Sequence, residues 1–177
     1  DAVTLERVIE SVGCVRMEIE ALMSMGLPNS PMANASIRVA SGNFVIARPI
    51  GVMSGVDLMY TGEVRKINLT AIHSNLMQGE IVLISPLGYS PTGEIFNLTL
   101  ENVAAEVAIA LKAEKLIFLM NTTGIMDQST KQSDNLLREL TVAESKPYLA
   151  KLADLATNIP DDTQFYLPQA IHACENG

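Results

Sequence analysis

Two uninterrupted apolar runs bracket a helical stripe in the middle of this chain, and that order limits the possible folds more than any other feature. The first run, Glu80–Ser85 (EIVLIS), is closed off by Gly79 and Pro86; the second is Lys115–Met120 (KLIFLM). Runs of this kind, without alternation of polar and apolar residues, are typical of strands covered on both faces in a parallel sheet. Between them, Leu100, Val103, Val107, Ala110 and Leu111 recur at helical spacing,. Strand, helix and strand predict a βαβ unit, the building block of α/β proteins. A short strand also leads into the helix through Asn97, Thr99 and Glu101, polar residues crowded at the handover. The first turn of a helix offers free N–H groups and a partial positive charge, so the junction is a candidate ligand site. It is equally a capping arrangement, with Asn97 or Thr99 as N-cap and Glu101 favourable to the helix dipole.

The flanking segments extend the same reading. Thr4 is a candidate N-cap for a helix whose stripe of Leu5, Val8, Val12, Val15, Ile19 and Leu22 reads as core-facing rather than as a coiled coil,. Met25–Ser36 is a loop by its Pro, Gly and Asn content. Ser36–Ile67 breaks into short β-like runs at Gly42, Gly51 and Gly55, which predicts hairpins with Arg38, Arg48 and Arg65 interleaved,. Asn68 or Thr70 starts a helix that ends at Gly79. Beyond a polar loop at residues 126–134, Leu136–Leu140 reads as a weak strand or turn. A helix follows around Thr141–Ala153, which Pro147 should interrupt, and a terminal helix closes the chain.

Composition removes several functions. The 177 residues carry 12 basic and 20 acidic side chains, a net charge of −8, with 48% apolar residues. Such a balance without a basic stripe is unsuited to nucleic acid or an anionic membrane surface. No stretch reaches the ~18 apolar residues of a membrane span. Cys14 and Cys174 lack metal or redox spacing and read as buried thiols of a cytoplasmic protein,. His73 and His172 are too far apart to make a metal site, and no Walker, GxGxxG or GxSxG motif is present,. The three arginines read as structural partners of the acidic surplus, or one of them as a grip on a ligand carboxylate.

The strings IRVASGNFVIARPIGV, GEIFNLTLENVAAEVAIALKAEKLIFLMNTTGI and DDTQFYLPQAIHACENG carry a more specific signal. Over essentially the whole of Asp1–Gly177 the sequence resembles the amino-acid-kinase-like domain of bacterial N-acetylglutamate synthases. That resemblance implies a three-layer αβα fold with a mainly parallel sheet and the hairpin region at Ser36–Ile67. It also implies that residues 1–177 are a partial domain. An upstream strand and glycine loop, the rest of the kinase-like domain and the acetyltransferase domain would then lie outside the chain. The parent would make N-acetylglutamate from acetyl-CoA and glutamate, respond to L-arginine as feedback inhibitor and form homo-oligomers. The piece itself would hold no cofactor, no metal and no catalytic residue, and no arginine-binding residue is assigned. The sister family of acetylglutamate kinases carries Asn-x-Asn-Ala-Asp at the strand–helix junction, where this chain has Asn97, Thr99 and Glu101. Those kinases have Thr-Asp after the next strand, where Met120 and Asn121 stand here. Arg38 matches a kinase arginine that binds the substrate carboxylate. With the phosphoryl side altered, Arg38, Asn97, Thr99 and Glu101 are read as a relic acylamino-acid pocket.

Overall fold

The structure is a computed structural model of the 177-residue chain and describes residues 1–120, 124–125, 136–155 and 163–177. The polar loop at 126–134 and Asn121 lie outside the described residues. The chain divides into two compact units, Asp1–Val103 and Ala104–Gly177.

In the first unit, α1 (Ala2–Met23) is capped by Asp1, whose carboxylate accepts from the Thr4 N–H at 2.9 Å and the Thr4 hydroxyl at 3.0 Å. The cap therefore falls three residues before Thr4, because a carboxylate is the stronger acceptor for free first-turn donors. The stripe of α1 is less covered than its periodicity predicts. Leu5, Val8, Val12 and Ile19 are half-buried, but Val15 and Leu22 are exposed and no α1 residue is fully buried. Asn29 and Asn34 take left-handed backbone conformations in the loop that follows, the role in which asparagine is best tolerated.

Eight strands follow: β1 (Val39–Ser41), β2 (Val45–Pro49), β3 (Val52–Met53), β4 (Val56–Asp57), β5 (Gly62–Ile67), β6 (Ile81–Leu83), β7 (Leu87–Tyr89) and β8 (Ile95–Asn97). They form a parallel pair β1–β6, a mixed sheet ordered β5-β2-β7-β8, and a small hairpin β3–β4. The hairpin region is thus present. Among the described residues the sheets are not mainly parallel: β1–β6 and β2–β7 are, but β2–β5, β7–β8 and β3–β4 run antiparallel. Short Gly- and Asn-marked connections favour antiparallel neighbours, whereas parallel ones need long crossovers. The core of this unit is Phe44, Val45, Ala47, Ile67, Leu87, Phe96 and Leu98 around the mixed sheet, with Ile72 from α2 (Leu69–Met77). Asn68 caps α2 by accepting from the Ala71 N–H. The run Glu80–Ser85 forms β6 as expected but is not covered on both faces. Ile81 is exposed and Val82, Leu83 and Ile84 are half-buried, because the strand has β1 as its sole ladder partner among the described residues.

The α3 helix (Leu100–Leu111) begins in the first unit and ends in the second. Beyond it, Lys115–Met120 is not a strand. Side chains still alternate there: Leu116, Phe118 and Met120 are half-buried, while Ile117 is 73% and Leu119 90% exposed. Apolar character and a two-residue period prepare a strand, but a strand requires a ladder partner for its N–H and C=O groups, and none of the described residues supplies one. Phe118 packs against Tyr166 at 5.1 Å between ring centroids. The remaining helices are α4 (Val142–Leu155) and α5 (Thr163–Asn176), with Leu167 and Ile171 packed among Ile125, Val142, Tyr148 and Leu149. Leu136–Leu140 contributes an isolated bridge, with the Leu137 N–H donating to Ile125 O. Pro147 does not interrupt α4. As the sixth residue of α4 it forfeits its own N–H bond to the carbonyl four residues back, while a reciprocal cap between Thr141 and Glu144 holds the turn before it,. Cys14 and Cys174 are both exposed rather than buried: Cys14 stands opposite the apolar stripe of α1, and Cys174, on the face of Leu167 and Ile171, lies in the last turn of α5 beside an open crevice,. Among the described residues no helix is long and apolar enough to cross a membrane.

Candidate functional site

The junction between β8 and α3 carries the three predicted residues within one short stretch. Asn97 ends β8, with its N–H donated to Tyr60 O at 2.9 Å, and it forms a parallel bridge with Thr61. Leu98 turns inward and is fully buried, its N–H held by Pro86 O at 2.9 Å. These two bonds fix the direction in which the chain leaves the sheet. Thr99 then accepts from the Val103 N–H at 3.0 Å, closing the first turn of α3, and Glu101 lies in that turn. Capping accordingly operates here through the backbone. The side chains of Asn97, Thr99 and Glu101 make no hydrogen bond or ion pair among the described residues. Asn97 and Glu101 are half-buried and Thr99 is exposed.

Two hollows adjoin the junction. Asn97 lines a crevice of about 50 Å³ with Asp1, Thr4, Val8, Tyr60 and Thr61. That volume admits about one or two waters and is far below the ~300 Å³ at which small-molecule sites begin. Leu100 borders a separate groove of about 340 Å³, lined by Val12, Val15 and Ile19 of α1, by Leu83 at the end of β6 and by Ile84 and Pro86 after it. The groove lies at the carboxyl ends of the parallel strands β1 and β6, but its walls are apolar and Arg16 is its single charged lining residue.

Arg38 stands apart from this junction. It precedes β1, accepts from the Ile81 N–H through its carbonyl, and its guanidinium pairs with Glu80 at 2.6 Å. The Glu80 side chain is only 10% exposed, so the guanidinium answers a carboxylate that would otherwise be costly to bury. Arg48 likewise pairs with Glu63 at 2.7 Å across β2 and β5. Of the four predicted residues the structure thus gathers Asn97, Thr99 and Glu101, and leaves Arg38 just before β1 with a partner of its own. Sequence reading did not single out Glu80, Tyr60 or Thr61. Only Glu80 carried a signal, as a lone charge at the head of an apolar run; Tyr60 and Thr61 meet Asn97 through a long-range bridge that no local pattern announces. His73 is exposed, and no cluster of His, Cys, Asp and Glu suited to a metal ion occurs among the described residues.

The sequence model of the Amino acid kinase family matches residues 7–177. The chain belongs to the amino acid kinase family. An amino-acid acetyltransferase of Ralstonia nicotianae is 44% identical over all 177 residues, which span 37% of that protein's length. A solved structure, N-acetylglutamate synthase from Neisseria gonorrhoeae complexed with coenzyme A and L-arginine, is 35% identical with a TM-score of 0.81. It is covered over 39% of its chain by 100% of this one. The same synthase complexed with coenzyme A and N-acetyl-glutamate gives 34% identity and a TM-score of 0.77, over 99% of this chain and 37% of that one. The α/β class and the amino acid kinase fold follow from these matches, and the chain corresponds to the kinase-like portion of amino-acid acetyltransferases. It spans well under half the length of these relatives.

Proposed function

We propose that this chain is the kinase-like, regulatory part of an N-acetylglutamate synthase, whose complete form transfers acetyl from acetyl-CoA to L-glutamate. The observation that carries this reading is identity of 44% to an amino-acid acetyltransferase along every residue of the chain. The acetyltransferase domain would be supplied by the same parent chain, acetyl-CoA would be a substrate of that domain, and L-arginine would be the inhibitor. Homo-oligomer formation and the complete three-layer fold belong to the same reading, as does a cytoplasmic location. Within it, Asn97, Thr99 and Glu101 are the remains of an acylamino-acid pocket, and Arg38 its outlying member. The experiment is a thiol-release assay on the complete protein: coenzyme A should appear only when glutamate accompanies acetyl-CoA, and arginine should suppress it.

The family match favours one other reading, an acetylglutamate kinase. Phosphoryl transfer is governed by charge placement around the transferred group. Here Thr99 stands where such kinases carry a second asparagine, and Glu101 sets its carboxylate one methylene beyond that of an aspartate. Formation of ADP from ATP in the presence of N-acetylglutamate would decide for the kinase and against the synthase.

A further inference from the structure

His172 lies in the last turns of α5 with a hydrogen-bond partner on each ring nitrogen. Its Nε2 is 3.1 Å from Glu106 Oε1 on α3, and its Nδ1 is 3.2 Å from Asn176 Nδ2 one turn on. The same Asn176 amide nitrogen donates to His172 O at 2.9 Å. An amide nitrogen only donates, so Nδ1 is the acceptor and the neutral ring carries its hydrogen on Nε2, aimed at Glu106. Both ring positions are thereby satisfied in the neutral form. The protonated form has hydrogens on both nitrogens, which improves one contact and opposes the other. Toward Glu106 the bond becomes charge-assisted. Toward Asn176, one donor faces another at hydrogen-bonding distance.

We infer that His172, Glu106 and Asn176 form a proton-responsive clamp at the C-terminal end of α5. On protonation the Asn176 amide turns to present Oδ1 to Nδ1–H and gives up its bond to the His172 carbonyl. Grip on α3 tightens while the last turn of α5 loses a support. The charged groups nearby leave the assignment intact. From α3 the ring is faced by Glu106; on the α4 side Lys146 reaches the same helix but pairs with Glu175; Glu114 and Lys115 border a separate crevice beside Cys174. Histidine is the side chain whose charge ordinarily changes between about pH 5 and 8, and this chain has only one other, exposed on α2.

The test is nitrogen-15 NMR of the 177-residue chain across that range, with H73Q as background to isolate His172. The expected neutral ring shows hydrogen on Nε2, and the Asn176 side-chain amide resonances move in step with its protonation. In H172Q the Asn176 resonances should stay fixed over the same range. E106Q should fold and keep the Asn176 response while losing the charge-assisted bond, and its melting temperature at the acid end should fall by about 1–3 °C relative to the parent. A neutral ring with hydrogen on Nδ1, or Asn176 resonances indifferent to the ring's protonation, would overturn the inference.

Discussion

Gly88 stands where β7 passes closest to β2: an added Cβ would come within 2.4 Å of Ala47 Cβ and 2.8 Å of Leu98 Cδ1. Ala47 Cβ cannot yield without moving β2, and the Leu98 side chain, though it can rotate, is buried with little room to do so. Gly88→Ala should therefore lower stability by about 1–3 kcal/mol, the usual cost of overpacking, seen as an earlier midpoint in urea. Glu144 gives a prediction in pH. Its carboxylate accepts first from the Thr141 hydroxyl and then from the Thr141 N–H, and these bonds hold it below the usual glutamate value. A lowered folded value means that the contribution is complete above the unfolded value of about 4.3. It is lost as pH falls through the folded value. Urea titrations at a series of acidic pH values should show a steeper acid loss for the parent chain than for Glu144→Gln. Equal slopes would place the cap's stability elsewhere. The Thr-x-x-Glu spacing of this cap was open to reading from sequence; the clash at Gly88 was not, since it depends on which strand lies alongside.

Among the elements, the β3–β4 hairpin has its turn chemistry written in two residues. Ser54 and Gly55 have φ of 51° and 81°, a two-residue turn with both central residues left-handed, whose twist matches the flanking strands. Gly55→Ala should destabilise the hairpin by about 1–2 kcal/mol, the cost of a left-handed L-residue, whereas Ser54→Asn should be neutral or favourable. Hairpin amide exchange by NMR would register both; equal protection in the two variants would contradict the turn assignment. Helices were largely legible for the same local reason, through Asn68, Gly79 and the three-and-four spacing of α2 and α3. Lys115–Met120 was not. Its composition marks a buried strand, but pairing is a property of two segments, and composition describes one.

For the molecule as a whole, the proposed role sets what the 177 residues do alone. With acetyl-CoA and glutamate the chain should release no thiol above background, since the kinase-like portion would hold no site for the pantetheine arm. Glutamate-dependent release by this chain would contradict the division of labour. ATP and N-acetylglutamate should yield no acyl phosphate trapped as hydroxamate, and Glu101→Asp with Thr99→Asn should not create the activity. On the proposed reading the phosphoryl side of the junction is altered at Thr99 and Glu101, and Asn97 faces a hollow of only about 50 Å³. Arginine at millimolar levels should leave the melting temperature unchanged if, as proposed, its pocket is completed by other parts of the parent protein. Saturable micromolar binding in a calorimetric titration would place the arginine pocket inside the chain instead.

The helices, the hairpin region, the α/β class and, through long specific strings, the family were legible in the order of residues alone. The helices and the hairpin region reside in local spacing, capping and turn residues, whereas the family rests on strings long enough to be specific without any knowledge of their packing. Tertiary structure decided the rest. It set β7–β8 antiparallel, left β6 half-covered and α1 without a fully buried residue. It also paired Arg38 with Glu80 rather than with Asn97, Thr99 and Glu101. Each of those outcomes is a choice of partner between segments distant in the chain, where the energy lies in burial and in satisfied hydrogen bonds, and no stretch of sequence names its own partner.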